Sequence, residues 1–231
     1  MIESELLDDR RADPIAVGRE LRDIARLNAL FGGTKAVVDA LDGVFRAARD
    51  ARCGMRDARW TLLDIGTGAG DIPCAAVAAA ARHGITLTPI GVEVIPAAAR
   101  LAQRSGVAVV IADGNAPPLA PKSVDVVTVS QVLHHLSRTA AVRWIRACDR
   151  LARRVVVLAD LRRSRVAMAG VWAACLGLRM DRVTRRDAVV SLRRGYTRGE
   201  FNAMLEEAGV PAVARYRPGF RVVAAWAPKA S

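Results

Sequence analysis

The stretch Leu62-Leu63-Asp64-Ile65-Gly66-Thr67-Gly68-Ala69-Gly70-Asp71-Ile72-Pro73 is an apolar run that passes into a glycine loop and then opens a helix. Glycines at 66, 68 and 70 let a ligand come close to the backbone, and the N-terminus of the helix that follows offers free N–H groups. The spacing is GxGxG. A dinucleotide fingerprint would need a glycine where Asp71 stands, and no Gly-Lys-Ser/Thr follows to make a phosphate-binding lysine loop. A glycine-rich turn between strand and helix with no ligand is the lesser reading of the stretch taken alone.

Working outward, short β-rich runs alternate with helical segments from Trp60 onward, at residues 61–65, 89–94, 107–112, 124–129 and 155–159. Five such runs with helical spacers predict βαβ units and a parallel sheet covered on both faces. Residues 14–50 predict two helices, one over about 15–30 and a second opening at Thr34 as N-cap, separated by Phe31-Gly32-Gly33. A basic, apolar insert at about 161–195 follows the fifth run. The next helix has Thr197 as N-cap, Glu200 closing a capping box, Tyr196 and Phe201 placed as a hydrophobic staple, and Gly209 at its end. Two strand-like runs, 213–217 and 220–226, flank Pro218-Gly219 and predict a terminal hairpin.

The 231 residues are 52% hydrophobic and 25% charged, the balance of one globular domain with or without an elaboration, which excludes disorder, collagen and coiled coil. The net charge of +12 is concentrated in residues 138–198, where sixteen arginines meet four acids, Asp149, Asp160, Asp181 and Asp187. Such a patch attracts nucleic acid, anionic lipid or an acidic ligand, and composition does not choose between them. Cys53, Cys74, Cys148 and Cys175 have neither zinc-knuckle nor CxxC spacing, so no metal site is expected. The acidic start MIESELLDD has no apolar signal region, and a cytoplasmic setting with reduced thiols is expected. The longest apolar run, 166–178, is thirteen residues. That is short of the ~20 that span a bilayer, which makes it a core or interfacial segment.

Two acids follow the glycine loop at successive strand ends. Glu93 closes the second run, where a carboxylate accepts both hydroxyls of a ribose, and Asp113 follows the third, where it accepts from an adenine amino group. On these residues the sequence resembles the class I S-adenosylmethionine-dependent methyltransferases, in particular the small-molecule branch related to the quinone-biosynthesis C-methyltransferases. The resemblance covers about residues 60–136, through LLDIGTGAGDIP, IGVEVIPAAARLA and ADGNAPPLAPKSVDVVTVSQVLHHL. It implies an α/β, Rossmann-like fold with a seven-stranded sheet whose last strand is antiparallel, in agreement with the terminal hairpin. It divides the chain into an N-terminal helical cap, 1–58, and a cofactor-binding methyltransferase domain, 59–231, with the 161–195 insert as a helical lid over the active site. S-adenosylmethionine is the implied cofactor and S-adenosylhomocysteine the product. Gly66, Gly68 and Gly70 would line the cofactor, Asp64 would face its methionine ammonium, Glu93 its ribose and Asp113 its adenine. Val94, Gly114 and Ser130 belong to the same implied site. Glu93 stands where the family more often has Asp, a longer side chain with the same acceptor chemistry.

The fourth strand ends Ser130-Gln131-Val132-Leu133-His134-His135-Leu136. The Asn/Asp-Pro-Pro-aromatic motif of enzymes that methylate nitrogens of bases and glutamine is absent there. His134 and His135 are the candidate catalytic residues, since an imidazole titrates near 6.5 and takes a proton at neutral pH. No other group of intermediate pKa is evident. Side chains leaving a strand diverge, so one histidine, His134 for preference, is expected to reach the acceptor while the other packs. The apolar insert predicts an apolar, aromatic acceptor such as a polyketide phenol or quinol, with O-methylation ahead of C-methylation. Its arginine rim would meet an acidic group or a membrane surface. An RNA methyltransferase is the alternative, favoured by the basic stretch but opposed by the 4% aromatic content and by arginines interleaved with apolar residues. A non-catalytic cofactor-binding accessory protein is another. Monomer and homodimer are equally open.

Overall fold

The computed structural model describes residues 5–51 and 58–229, so the first four residues of the acidic start and Cys53 lie outside it. The described elements are α1 (Pro14–Leu30), α2 (Gly33–Ala51), β1 (Ala58–Ile65), α3 (Asp71–Ala81), β2 (Ile85–Glu93), α4 (Pro96–Arg104), β3 (Ala108–Ile111), β4 (Val124–Ser130), α5 (Arg138–Leu151), β5 (Ala152–Leu161), α6 (Arg165–Gly177), α7 (Arg182–Arg194), α8 (Arg198–Ala208), β6 (Arg215–Arg217) and β7 (Arg221–Trp226). The strands form one sheet in the order β3-β2-β1-β4-β5-β7-β6. β1 to β5 run parallel, and β7 lies antiparallel against both β5 and β6. This is the expected seven-stranded arrangement with an antiparallel last strand.

Successive strand side chains point to opposite faces, and here both faces are covered. Leu63, Val127 and Val156 pack with Ile145 of α5 and Phe201 of α8, whereas Leu62, Val126 and Val157 pack with Phe45 of α2 and Ala76 of α3. That is why the centres of β1, β4 and β5, Leu62-Leu63, Val126-Val127 and residues 155–159, have apolar neighbours side by side rather than alternating with polar ones. α2 thus shares a core with the sheet, while Val17 and Leu21 of α1 rest on Ala97 and Ala98 of α4. The insert after β5 is a helical hairpin, α6 and α7, which encloses its own small core of Leu27, Leu161, Ala167, Val171, Cys175, Met180 and Leu192.

Most local signals hold. Thr197 caps α8, Glu200 closes the capping box, the Tyr196 and Phe201 rings meet edge to face at 5.5 Å, and Gly209 ends the helix in a left-handed conformation. Thr34 is not an N-cap. α2 begins at Gly33, and the Ala36 N–H donates to the Gly32 carbonyl, so Thr34 falls in the first turn. The turn just before it sets the start: Gly32 reverses the chain at φ 66° and offers its carbonyl to Ala36, and a Cβ on Gly33 would lie 2.4 Å from Asn28 Oδ1, so the helix opens one residue ahead of Thr34. β5 outruns its apolar run at both ends. It starts with Arg153 and Arg154, which reach Asp125, and ends with a buried Asp160.

Candidate active site

The carboxyl ends of β1, β2 and β4 open onto a cavity of about 380 Å³, in the size range of cofactor sites and at the place where open α/β sheets bind ligands. Asp64, Gly66, Gly68, Glu93, Val94, Asp113, Gly114, Ser130 and His135 all line it. Gly70 does not; it caps α3 at φ 84° and shapes the loop from behind. Gly66 sits at φ 76°, where a Cβ would come 2.5 Å from Val132 Cγ2, so the cradle admits no side chain there. The buried Glu93 holds the loop, with Oε2 accepting from the Gly68 N–H at 2.9 Å and Oε1 from the N–H groups of Val94 and Ile95 at 2.8 and 3.0 Å. Asp64 Oδ1 accepts from Thr128 Oγ1 at 2.6 Å, and burial pushes its carboxyl up to about 7. Asp113 is held below the ordinary carboxylate range, first by the Asn115 N–H and then by Arg10, whose guanidinium lies 2.8 Å from Oδ2. Ser130 Oγ is buried without a hydrogen-bond partner.

A segment ahead of α1 crosses this cavity. Leu7, Asp8 and Arg10 are part of its lining. Asp8 Oδ1 meets His135 Nδ1 at 2.7 Å, Arg194 of α7 donates to both Glu5 and Asp8, and Asp187 of α7 accepts from the Leu6 N–H. Burial alone would raise Asp8, but its hydrogen bonds from His135 and the Glu5 N–H hold it far below 3.8; burial alone would lower His135, but Asp8 and Glu5 hold it above 6.5. The carboxylate's contribution is therefore present above 3.8 and lost as pH falls through its lower folded value. The imidazolium's is complete below 6.5 and lost as pH rises through its higher folded value. Urea unfolding of the wild type and of Asp8→Asn should differ by on the order of 1 kcal/mol in a plateau between those two values, shrinking on either side. A difference independent of pH would show that the pair does not fasten the segment.

His134 and His135 sit on a 3-10 turn, Leu133–His135, not on the strand itself. Their rings consequently do not diverge as expected but lie 4.2 Å apart between centroids. His134 Nδ1 is 2.6 Å from Asp160 Oδ1 at the end of β5, and Asp160 also accepts from the N–H groups of His134 and Leu161. Burial would raise Asp160, yet the His134 imidazole and these hydrogen bonds hold it below the usual carboxylate range. An ionised carboxylate only accepts, so the ring proton between the two sits on Nδ1 and leaves Nε2 as the atom directed away from Asp160. That Nε2 is buried with no partner. The His134 side chain belongs to the wall of a second, narrower pocket under the α6–α7 hairpin, formed by Leu27, Phe31, Leu161, Ala167, Val171 and Leu192 together with the polar Glu20, Thr184, Ser191 and Arg221. The two cavities meet at Ile24, Asn28, Gln131 and His135.

Sequence reasoning missed several residues here. Asp160 closes a strand just as Glu93 does, and the same strand-end rule carried to the fifth run would have found it. Gln131, at φ 57°, donates to Asn28 Oδ1 at 2.6 Å and accepts from Arg221 at 3.2 Å. Nothing local marks a partner 103 residues away. The expectation that no other group has an intermediate pKa is corrected by Asp64 and by Glu20, a wall of the second pocket that burial pushes up to about 7. Glu5, His134 and His135 bring possible metal-ligand atoms within 4.8 Å of one another. Glu5 already accepts from Arg194 and Ser191, and a cation there would face the Arg194 charge, so the cluster is a charge network.

Sheet order, glycine loop and strand-end acids together define the Rossmann-like fold of S-adenosylmethionine-dependent methyltransferases. Residues 63–158 match the family described as a methyltransferase domain. No curated protein sequence matches the chain. Among solved structures, a SAM-dependent methyltransferase of Thermotoga maritima, described as a possible histamine N-methyltransferase, superimposes with a TM-score of 0.56 at 15% identity, covering 91% of this chain and 97% of that one. The magnesium protoporphyrin IX methyltransferase of Synechocystis with bound SAM gives 0.51 at 14% identity, covering 86% and 81%. An O-methyltransferase family 2 protein of Planctomyces limnophilus in complex with apigenin gives 0.51 at 17% identity, covering 74% and 50%.

Proposed function

We propose that the protein transfers a methyl group from S-adenosylmethionine to an apolar, aromatic small molecule, at oxygen in preference to carbon. The observation that carries this reading is His134, whose Nε2 is buried and unpartnered, in the wall of a largely apolar pocket that adjoins the polar glycine-loop cavity. The residues present fit the cofactor: the glycine cradle admits no Cβ, the Ser130 hydroxyl lacks a partner, and the three acids suit hydroxyl, amino and ammonium donors. Glu93 would hold the ribose, Asp113 the adenine, and Asp64 with Ser130 the amino-acid end. When bound, the cofactor supplies an already activated methyl group.

The rest of the chemistry falls to the chain's own side chains. The apolar walls exclude water and align the acceptor, the larger part of the rate gain. His134 Nε2 takes the phenolic proton, and Asp160 keeps Nδ1 protonated and stabilises the charge that forms on the ring. Calorimetry should show S-adenosylmethionine and S-adenosylhomocysteine binding in the micromolar range, roughly −7 to −8 kcal/mol. NAD and ATP should bind far more weakly, and simple phenols or quinols should become methylated. Equal affinity for NAD or ATP would overturn the cofactor assignment, and cofactor binding without turnover on any phenol would leave an accessory protein.

A further inference from the structure

We propose that the α6–α7 hairpin seats the protein on an anionic membrane surface, with α6 lying in the plane of the interface. After Arg165, α6 reads Val-Ala-Met-Ala-Gly-Val-Trp-Ala-Ala-Cys-Leu-Gly, without a charged side chain. Its inner stripe, Ala167, Val171 and Cys175, is buried. The opposite side is just as apolar, yet Val166 is 72%, Trp172 52% and Leu176 49% exposed, with Leu178 and Val183 exposed just beyond. A helix that is apolar all round is normally buried all round. Here one side is left for something else to cover.

Charge identifies the occupant. Arg165, Arg179, Arg182 and Arg186 are exposed around this ridge, and no carboxylate lies within ion-pair reach of them among the described residues. Trp172 itself lies in a shallow depression with Arg182, Arg185 and Arg186. Asp181 is taken by Arg19 and by the cap of α7, and Asp187 is buried, so the rim is cationic almost without relief. A second copy would set two such rims against each other, and an RNA would satisfy the arginines but leave the apolar ridge in water. A bilayer with anionic headgroups meets both needs, since the apolar side chains enter the acyl boundary while the guanidiniums stay at phosphate level. The inner stripe of the same helix lines the second pocket through Ala167 and Val171, so on the reading of that pocket as the acceptor site a lipid-soluble acceptor would reach it from the membrane.

Flotation of the full chain with phosphatidylcholine vesicles, with and without phosphatidylglycerol, tests the proposal and needs neither cofactor nor acceptor, so its result is independent of the catalytic reading. Binding is expected only to the anionic vesicles, weakening with salt, with each arginine of the rim worth roughly fivefold in partitioning. Trp60, Trp144 and Trp226 are buried, so a blue shift of tryptophan emission on binding reports Trp172. Trp172→Ser with Leu176→Ser should lose about tenfold or more in vesicle affinity through lost apolar burial, while the circular dichroism spectrum and urea midpoint stay close to those of the wild type as the control for folding. Equal binding to neutral vesicles, an unaltered affinity in the folded double variant, or retention of RNA but not vesicles at physiological salt would each overturn it. So would a dimer that the same substitutions dissolve.

Discussion

His134→Ala is expected to lower methyl-transfer turnover by roughly 10² to 10⁴ while leaving cofactor affinity within about twofold, the contribution usual for a positioned base. The imidazole borders the second pocket and is not part of the glycine-loop cavity, which separates the two readouts. Asp160→Asn should reproduce most of the loss, because an amide no longer dictates which ring nitrogen of His134 carries the proton. The defect should shrink at high pH as a phenol of pKa near 10 begins to ionise unaided. A merely structural role for Asp160 would lower stability without that pH dependence, so rate profiles of both variants are the deciding measurement. If both keep more than half of the wild-type rate across roughly pH 6 to 9, alignment alone drives the reaction.

Glu93→Ala is expected to weaken S-adenosylhomocysteine binding by about 1.5 to 3 kcal/mol, or roughly ten- to a hundredfold, the scale of hydrogen bonds to a charged group. Two losses combine. The variant removes an acceptor from the cavity wall, and it releases the Gly68, Val94 and Ile95 N–H groups that the carboxylate now holds. Glu93→Gln keeps an acceptor but no charge and should fall between wild type and Ala. Calorimetry, with circular dichroism confirming a folded chain, is the check, and unchanged affinity in folded Glu93→Ala would remove the ribose assignment.

The sequence by itself determined the sheet and the residues that gather around the glycine-loop cavity, because both are written in local order. Alternation of apolar runs and helices, GxGxG at 66–70 and an acid after the second and third runs are relations between residues close along the chain, and strand ends of an open α/β sheet necessarily gather at one edge. What stands on that edge from afar was decided only in three dimensions. His134 meets Asp160 across 26 residues, His135 meets Asp8 across 127, and Glu20 meets Thr184 across 164. None of these pairs leaves a periodic trace: the first depends on the pairing of β4 with β5, and the other two on how α1, α7 and the segment before α1 pack over the sheet. α6 shows the limit most plainly. Being apolar on every side, it carries no pattern that says which side is inward, and only packing of Ala167, Val171 and Cys175 against Leu27, Leu161 and Leu192 chose the face that Val166, Trp172 and Leu176 turn outward.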